Sequence, residues 1–245
     1  MNYFCCLADS LTVVDVEDWI VGDRLKTVDD PREAQAIIVA GGDGTMLHAI
    51  HDYWQFNLPF IGINRGTVGF LMNPIITKEH FFKLIENFKL IELDLMDITC
   101  ITETQTVKLK AFNDVYLNVR PGSICHGYIE GSRYPRKEFY GDGIIVATPQ
   151  GSTAYNRNAG GSVLPLKKDL LAVTTICAAQ PIRDTLVMQN LSITIVRGEM
   201  TVNADNQSVS QVKSIEIRPG LGKVSLAFDQ NYEFDIIRYS SIKTH

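Results

Sequence analysis

A short stretch near residue 40 constrains the fold of this 245-residue chain more than any other part. Residues 37–40 are apolar and rich in β-branched side chains, which is typical of a strand buried on both faces. Three glycines follow almost at once: Gly41, Gly42 and Gly44. Because glycine has no Cβ and tolerates positive φ, the backbone here can approach a ligand closely. Thr45 can cap a helix whose apolar residues recur at helical spacing up to residue 53, so we predict a strand, a ligand-binding loop and a helix in succession.

The glycine loop at residues 41–45 contains one acid, Asp43. The N-terminus of the following helix offers free N–H groups and the positive end of the helix dipole, which together suit a phosphate group. The Asp43 carboxylate would repel phosphate, so its charge needs another role at this position. Orienting or removing the proton of an attacking hydroxyl is such a role in phosphoryl transfer. Asp43 is therefore the candidate catalytic residue.

The order of the remaining segments predicts two domains. Strands at Asn2–Leu7 and 58–64 flank the central strand and helix, as in a βαβ unit with a parallel sheet, and a further helix is expected at 77–88. After about residue 90 the chain is mostly β-rich, except around 168–176, where the spacing favours a helix. The expected strands are 98–103, 106–112, 113–119, 192–196, 200–203, 214–217 and 223–228. We expect a small α/β domain followed by a mostly β domain, and the pattern alone does not assign the apolar segment 232–239 to either.

Composition excludes several classes of protein. The net charge of −5 and the pI near 5.5 argue against a general nucleic-acid surface. No apolar run reaches the length of about 18 residues that a membrane span needs. The five cysteines are irregularly spaced and form no C-x-x-C pair, so we expect a reduced, cytoplasmic protein without a zinc site.

Two further polar stretches are candidate ligand sites. Asn113 and Asp114 interrupt an apolar strand, where an acid can accept the hydroxyls of a ribose; the alternative is a simple bend. Residues 141–155 form an apolar strand and then a loop of glycines and hydroxyl side chains that ends at Tyr155. Such a loop suits ribose and carboxamide groups, with an aromatic ring for a base; the alternative is a tight turn of the β domain.

Together these loops resemble the ordered motif set of NAD kinases, over residues 36–210. The motifs are Gly41-Gly42-Asp43-Gly44-Thr45, Asn64-x-Gly66-Thr67-Val68-Gly69-Phe70-Leu71, Asn113-Asp114, Asp142-Gly143 followed by Thr148-Pro149-x-Gly151-Ser152-Thr153-Ala154-Tyr155, and Asp205. Diacylglycerol- and sphingosine-type lipid kinases share the first motif. The stretch 148–155 joined to Asp142 is far more specific.

The resemblance implies transfer of the γ-phosphoryl group of ATP, or of polyphosphate, to the 2′-hydroxyl of the adenosine ribose of NAD. It implies that Asp43 is catalytic, that Phe70 lines the adenine site, and that Asn113 and Asp114 bind a ribose of NAD. The residues matching the loop that receives the ATP phosphates are Gly41, Gly42, Gly44 and Thr45. The positions matching the surroundings of NAD, some of them contributed by a neighbouring subunit, are Asp142, Ser152, Thr153, Ala154, Tyr155, Asn158 and Asp205. Mg²⁺ or another divalent cation is expected on the phosphates, because no protein carboxylate cage is visible.

The implied fold is a Rossmann-like α/β domain at residues 1–95 and a β-sandwich-like domain at 96–230. The tail, residues 231–245, would return to the first domain. The resemblance also implies a cytoplasmic homo-oligomer, a dimer or tetramer, with its active site near a subunit interface.

Some positions depart from the family pattern or stay open. Arg65 stands where a smaller neutral residue is usual, Asn158 where serine is frequent, and Asn206 where glycine is common. A basic cluster precedes Asp142 and consists of Arg133, Arg136 and Lys137. These side chains either form a solvated surface or neutralise the charge of an anionic substrate.

Two other functions remain open at this point. A lipid kinase would share the first loop but would have no use for the Asn113-Asp114 and 142–155 sites. A non-catalytic NAD-binding sensor would keep the NAD loops but lose Asp43 or the glycines, all of which are present.

Overall fold

The computed structural model describes residues 2–7, 14–21, 25–67, 69–120 and 122–240 and divides the chain into two compact units. The first unit comprises Met1–Leu93 and Gly222–His245, and the second comprises Asp94–Leu221. The family resemblance predicts a second domain that extends to residue 230. The structure places residues 222–230 in the first unit, because Leu226 and Ala227 pair with a strand of its sheet.

The first unit is built on a parallel sheet. Its elements are β1 (Asn2–Leu7), α1 (Val14–Val21), β2 (Lys26–Thr27), β3 (Ala36–Gly41), α2 (Asp43–Tyr53), β4 (Phe60–Asn64), α3 (Lys78–Glu86), the later half of β16 (Ser214–Asp229) and α5 (Phe234–Ser240). The strand order is β2-β1-β3-β4-β16, with parallel pairing throughout. All six residues of β3 are buried, which confirms the expected central strand and places the glycine loop at its carboxyl end.

Helix α3 shows how local sequence sets an element and its end. The hydroxyl of Thr77 caps the helix by accepting a hydrogen bond from the backbone N–H of His80 at 3.2 Å, and Phe81, Leu84 and Ile85 enter the core. The predicted helix extended to Phe88. The structure ends it at Glu86, and Phe88 instead opens the strand β5 (Phe88–Ile101). Helix α1 was not expected in this polar, acidic part of the chain, yet its Val16 and Ile20 are buried.

The side chain of Asn73 joins the C-terminal strand to the centre of the first unit. Its buried Nδ2 donates to the carbonyl oxygens of Gly62 and Ala227, both at 2.9 Å, and its Oδ1 accepts from the backbone N–H of Asp229 at 2.9 Å. The helix α5 follows, so the apolar segment at 232–239 belongs to the first unit. This confirms the expected return of the C-terminal tail.

Replacing Asn73 by Ala is expected to lower the free energy of unfolding by about 2–4 kcal/mol. Two buried carbonyl groups and one partly buried N–H group each lose a partner, at about 1–3 kcal/mol apiece, partly recovered by relaxation. Urea unfolding followed by circular dichroism measures this. The exposed Asn190 provides the control: Asn190→Ala is expected to stay within about 0.5 kcal/mol of the wild type. Equal stabilities of the two variants would contradict the role given to Asn73.

The second unit is a sandwich of two mostly antiparallel sheets. Its elements are most of β5, β6 (Thr106–Ala111), β7 (Asp114–Val119), β8 (Cys125–Gly131), β9 (Tyr134–Gly141), β10 (Gly143–Ala147), α4 (Tyr155–Asn158), β11 (Leu170–Ile176), β12 (Arg183–Val187), β13 (Leu191–Arg197), β14 (Met200–Ala204), β15 (Gln207–Val212) and the earlier half of β16. One sheet has the order β12-β11-β10-β7-β14-β15, and the other contains β16-β13-β8-β9. Strand β5 pairs with β6. Residues from both sheets, such as Leu117, Val146, Ile193 and Ile215, share one core, as the expected β-sandwich-like domain requires.

Two sequence-based strand and helix assignments are wrong. Residues 168–176 favoured a helix, but Leu170–Ile176 is strand β11, buried and paired on both sides with β10 and β12. Residues 214–217 and 223–228 were expected to be separate strands, but they belong to the single long strand β16. The strands β8, β9, β12 and β15 were not anticipated. No helix in the described ranges is long and apolar enough to cross a membrane.

Candidate active site

The glycine loop joins the end of β3 directly to the start of α2. Gly42 is the N-cap residue, and no side chain caps the helix. Thr45 was the predicted cap, but the helix already begins at Asp43, so Thr45 lies within the first turn. Its side chain folds back toward Gly41, where a Cβ atom would lie 2.4 Å from Thr45 Oγ1. The first N–H groups of α2 have no carbonyl partner inside the helix and can bind an anion.

Asp43 links this loop to the loop of residues 64–71. One carboxylate oxygen accepts a hydrogen bond from the N–H of Phe70 at 2.9 Å, and the other accepts from the N–H of Leu71 at 3.0 Å. Burial raises the pKa of Asp43 above its usual range, although these two N–H groups and the charge of Arg238 act in the opposite direction. The structure therefore brings Asp43 and Phe70 together and makes Asp43 a stronger base than an exposed aspartate.

The C-terminal segment, from Tyr232 through helix α5, contributes two residues that were not among the predicted site residues. Arg238, on α5, is fully buried, and its charge acts on Asp43. Burial and then the Asp43 charge raise the pKa of Tyr232 to about 12, and its ring stacks on Phe228 with centroids 5.4 Å apart. The available signal was an arginine inside an apolar segment, which is costly unless its charge has a partner.

Arg65 has a structural explanation. Its Nη1 donates to the carbonyl oxygens of Asn64 at 2.9 Å and Ile75 at 2.5 Å, and its guanidinium lies 5.1 Å from the ring centroid of Trp19. The longer side chain therefore braces the loop that supplies the two N–H groups to Asp43.

The second unit holds the other candidate residues, grouped around the start of β7. Asp205 lies in the turn between β14 and β15, with φ +50°, and its carboxylate accepts hydrogen bonds from three successive backbone N–H groups. The donors are Phe112 at 2.6 Å, Asn113 at 3.0 Å and Asp114 at 3.2 Å. Asn113 and Asp114 thus lie at a bend whose shape depends on Asp205.

Two polar groups at this bend have little exposure to solvent. The Oδ1 atom of Asn113 is buried, and the described residues offer it no hydrogen-bond partner. Asp114 is 5% exposed, and burial together with the charge of Asp205 raises its pKa to about 7. An amide oxygen and a carboxyl group in this setting are suited to the hydroxyls of a sugar.

The Asp142–Asn158 region lies against the same bend. The hydroxyl of Thr148 donates to the carbonyl oxygens of Phe112 at 2.7 Å and Asn113 at 2.8 Å. Tyr155 is 37% exposed and packs edge-on against Tyr116, with ring centroids 4.9 Å apart. Burial raises the pKa of Tyr155, and the charges of Asp114 and Asp142 add to the shift, so these groups are near one another.

Other predicted residues of this region differ in their surroundings. Thr153 and Ala154 are half-buried, and Asn158 is exposed. Ser152 is fully buried, and its hydroxyl donates to Pro149 O at 2.7 Å and accepts from Leu164 N at 2.9 Å. Its hydroxyl therefore shapes the loop from inside.

Buried amides that the sequence analysis missed also hold this region. Gln150 Nε2 donates to Phe112 O at 2.7 Å, and Asn156 Nδ2 donates to Ser152 O at 3.1 Å. Within the described ranges, no three His, Cys, Asp or Glu side chains are arranged to hold a metal ion.

Two members of the basic cluster, Arg136 and Lys137, lie on β9, and their partners lie on the strands β8 and β12. Lys137 Nζ is 2.7 Å from a carboxylate oxygen of Asp184, and the guanidinium of Arg136 lies 3.5 Å from the ring centroid of Tyr128. The structure does not group these side chains with the residues around Asp114.

The pKa of Asp114 gives a testable dependence of stability on pH. Between about pH 4 and pH 7 the folded protein keeps a proton on Asp114 that the unfolded chain releases, so this group contributes most stability below about pH 4. That contribution is lost as the pH rises through about 7. The Asp114→Asn variant has no such group to titrate. We therefore expect its free energy of unfolding, relative to that of the wild type, to rise by more than about 1.4 kcal/mol between pH 5 and pH 8.

Urea unfolding of both proteins at the two pH values measures this gain. The exposed Asp52 supplies the control, since Asp52→Asn is expected to follow the wild type at both pH values. A constant difference between Asp114→Asn and the wild type would show that Asp114 does not titrate in this range.

Comparison with known proteins places these features in a family. Residues 9–90 match the ATP-NAD kinase N-terminal domain, and residues 112–220 match the ATP-NAD kinase C-terminal domain. The NAD kinase of Rickettsia prowazekii (strain Madrid E) is 35% identical over 214 residues, which cover 83% of each chain. The NAD kinase of Rickettsia bellii (strain OSU 85-389) is 35% identical over 221 residues, 86% of this chain and 87% of the relative.

Two solved structures share the fold. One is an NAD kinase from Archaeoglobus fulgidus in complex with ATP, with a TM-score of 0.81, 20% identity and full coverage of both chains. The other is yeast NADH kinase complexed with NADH, with a TM-score of 0.81 and 17% identity, covering 100% of this chain and 89% of the other. The two domain matches and the sequence relatives show that this chain belongs to the NAD kinase family.

Proposed function

We propose that the protein transfers the γ-phosphoryl group of ATP to the 2′-hydroxyl of the adenosine ribose of NAD, giving NADP and ADP. The observation that carries this proposal is the position of Asp43, a largely buried acid in the first turn of α2 within a glycine loop. Membership of the NAD kinase family supports it and does not favour the lipid kinase or the non-catalytic sensor.

We assign phosphate binding to the first unit. The N–H groups at the start of α2, in the loop formed by Gly41, Gly42, Gly44 and Thr45, face the phosphates of ATP, and Phe70 lines the adenine site. These donors suit phosphate oxygens rather than a metal, so Mg²⁺ or another divalent cation is held by the phosphates themselves. When bound, it neutralises charge on the transferring group.

We assign NAD binding to the second unit. The free Oδ1 of Asn113 and the carboxyl group of Asp114 accept ribose hydroxyls, and the half-exposed ring of Tyr155 contacts a base. The remaining members of this site are Asp142, Ser152, Thr153, Ala154, Asn158 and Asp205. Ser152 contributes by shaping the loop, since its hydroxyl is engaged within the protein.

Asp43 acts as the general base in this reaction. It takes the proton of the 2′-hydroxyl, the ribose oxygen forms a bond to the γ-phosphorus, and the bond between that phosphorus and the bridging oxygen breaks to release ADP. The raised pKa favours proton transfer to Asp43, and the two N–H groups from Phe70 and Leu71 hold its carboxylate in one orientation.

An assay of NADP formation, coupled to an NADP-specific dehydrogenase, tests the proposal. Purified protein is given NAD or NADH as acceptor and ATP, another nucleoside triphosphate or polyphosphate as donor, with and without Mg²⁺. Donor-dependent formation of NADP is the expected result. Equilibrium binding of NAD without any product would indicate a sensor instead, and phosphorylation of diacylglycerol in place of NAD would indicate a lipid kinase.

We also propose a cytoplasmic homo-oligomer, a dimer or tetramer, with its active site near a subunit interface. The five free cysteines favour a reducing compartment. Exposed apolar side chains on the second unit, including Ile124 and Val196, suit burial between subunits. Light scattering after size-exclusion chromatography measures the subunit count.

A further inference from the structure

The backbone bend at Phe112, Asn113 and Asp114 is held from two sides. On one side, the Asp205 carboxylate accepts hydrogen bonds from all three backbone N–H groups. Its Oδ2 accepts from Phe112, and its Oδ1 accepts from Asn113 and Asp114. The backbone N–H of Asp205 returns a hydrogen bond to the carbonyl oxygen of Asp114 at 3.2 Å. Successive N–H groups that converge on one anion form a concave binding site, which here is filled by a side chain of the protein itself.

On the other side, the carbonyl oxygens of the bend also have partners. The hydroxyl of Thr148 donates to the carbonyls of Phe112 and Asn113, and the side-chain amide of Gln150 donates to that of Phe112 at 2.7 Å. The backbone of the bend is therefore satisfied within the protein. What remains available to a ligand is the Oδ1 of Asn113 and the carboxyl group of Asp114.

We propose that Asp205 is a positioning residue that shapes the Asn113-Asp114 bend for dinucleotide binding and does not itself contact the dinucleotide. This inference rests on the proposed function for the identity of the ligand. Both carboxylate oxygens of Asp205 already receive charge-assisted hydrogen bonds from backbone donors. These three bonds fill most of the roughly four acceptor sites of the carboxylate, whereas the two N–H bonds at Asp43 leave about half of its sites open to a hydroxyl.

The left-handed backbone at Asp205 makes the residue suitable for substitution. At φ +50°, asparagine and glycine are both tolerated, so neither variant strains the turn. Asp205→Asn keeps one acceptor oxygen and loses the charge, whereas Asp205→Gly loses every acceptor. Gln207→Ala is the control, because Gln207 is exposed and lies in the same hairpin.

Amide hydrogen exchange tests the structural half of the inference without any ligand. We expect the amides of residues 112–114 to exchange about tenfold faster in Asp205→Asn and faster still in Asp205→Gly, while the amides of β10 are unchanged. Gln207→Ala is expected to exchange like the wild type. Unchanged exchange at residues 112–114 in Asp205→Gly would overturn the proposal.

Calorimetric binding of NAD and steady-state kinetics test the functional half. Asp205→Asn is expected to weaken NAD binding about tenfold, with kcat within about threefold of the wild type and the KM for ATP unchanged. Because both residues act through one bend, the effects of Asp205→Asn and Asp114→Asn are expected to be less than multiplicative in the double variant. Fully multiplicative effects with unchanged amide exchange would indicate direct contact and overturn the proposal.

The two proposals fail in different ways. If the wild-type protein neither binds NAD nor forms NADP, the proposed function is wrong. The amide-exchange result still decides whether Asp205 holds the bend.

Discussion

The Asp43→Asn variant is expected to lose about 10²–10⁴-fold in kcat while its KM for NAD stays within about threefold of the wild type. The amide that replaces the carboxylate cannot take a proton from the ribose hydroxyl, so the loss falls on the chemical step. The amide oxygen can still accept from the N–H of Phe70 or Leu71, and the other N–H group loses its acceptor. Steady-state kinetics with saturating ATP and variable NAD measure both parameters.

The control for this prediction lies on the same helix. Asp52 is exposed near the other end of α2, and Asp52→Asn is expected to keep wild-type kcat and KM. Thermal unfolding of both variants checks that Asp43→Asn remains folded. We expect its midpoint temperature to fall by a few degrees, because one hydrogen bond is lost. Near-normal turnover in a folded Asp43→Asn protein would remove Asp43 from the role of general base.

The environment of Asp43 explains how one acid can serve within a phosphate loop. Burial raises the pKa of Asp43, while the two N–H donors and the charge of Arg238 lower it. The affinity of Asp43 for a proton is therefore set by the balance of these opposing effects. The donors come from the 64–71 loop, and Arg238 comes from the returning tail. The base thus depends on segments distant in sequence, which all belong to the first unit.

Local sequence signals were sufficient for the elements that carry most of the site. The buried strand before Gly41, the helix after it and the bend at Asn113 and Asp114 are each indicated by a few neighbouring residues. The resemblance then supplied the remaining loop positions, because its motifs are also local. The predicted position of the helix cap was wrong, since Gly42 is the extended N-cap residue and the helix already begins at Asp43, which leaves Thr45 inside the first turn.

Contacts between distant segments could not be predicted from the same patterns. Asp205 lies 93 residues from Phe112 in the sequence, and nothing around it indicates which backbone it will bind. Strand β11 was predicted as a helix because the spacing of its apolar residues favoured one. So short an apolar run does not distinguish a buried strand from a buried helix, and pairing with β10 and β12 decided the outcome. Residues 214–217 and 223–228 were expected to be separate strands, yet the long strand β16 continues through Pro219 and Gly220 between them.

The Gly151→Ala variant is expected to weaken NAD binding by more than about 100-fold and to lower the free energy of unfolding by about 3 kcal/mol or more. A Cβ atom at Gly151 would lie 2.0 Å from the carbonyl oxygen of Asn113 and 2.3 Å from its carbonyl carbon. Both atoms belong to the backbone, so no side chain can rotate away. The bend that Asp205 and Thr148 hold would have to move, and Asn113 would move with it. Calorimetric NAD binding and urea unfolding measure the two effects.

The size of this effect depends on where the new methyl group points, and not on the loss of glycine itself. At Gly44 in α2, an added Cβ meets no atom within 4 Å, and alanine favours the helix by about 0.5–1 kcal/mol. Gly44→Ala is therefore expected to unfold at the wild-type temperature or slightly above it. If Gly151→Ala proved as stable as Gly44→Ala and still bound NAD normally, the close approach of the 148–155 loop to Asn113 would have no part in the site.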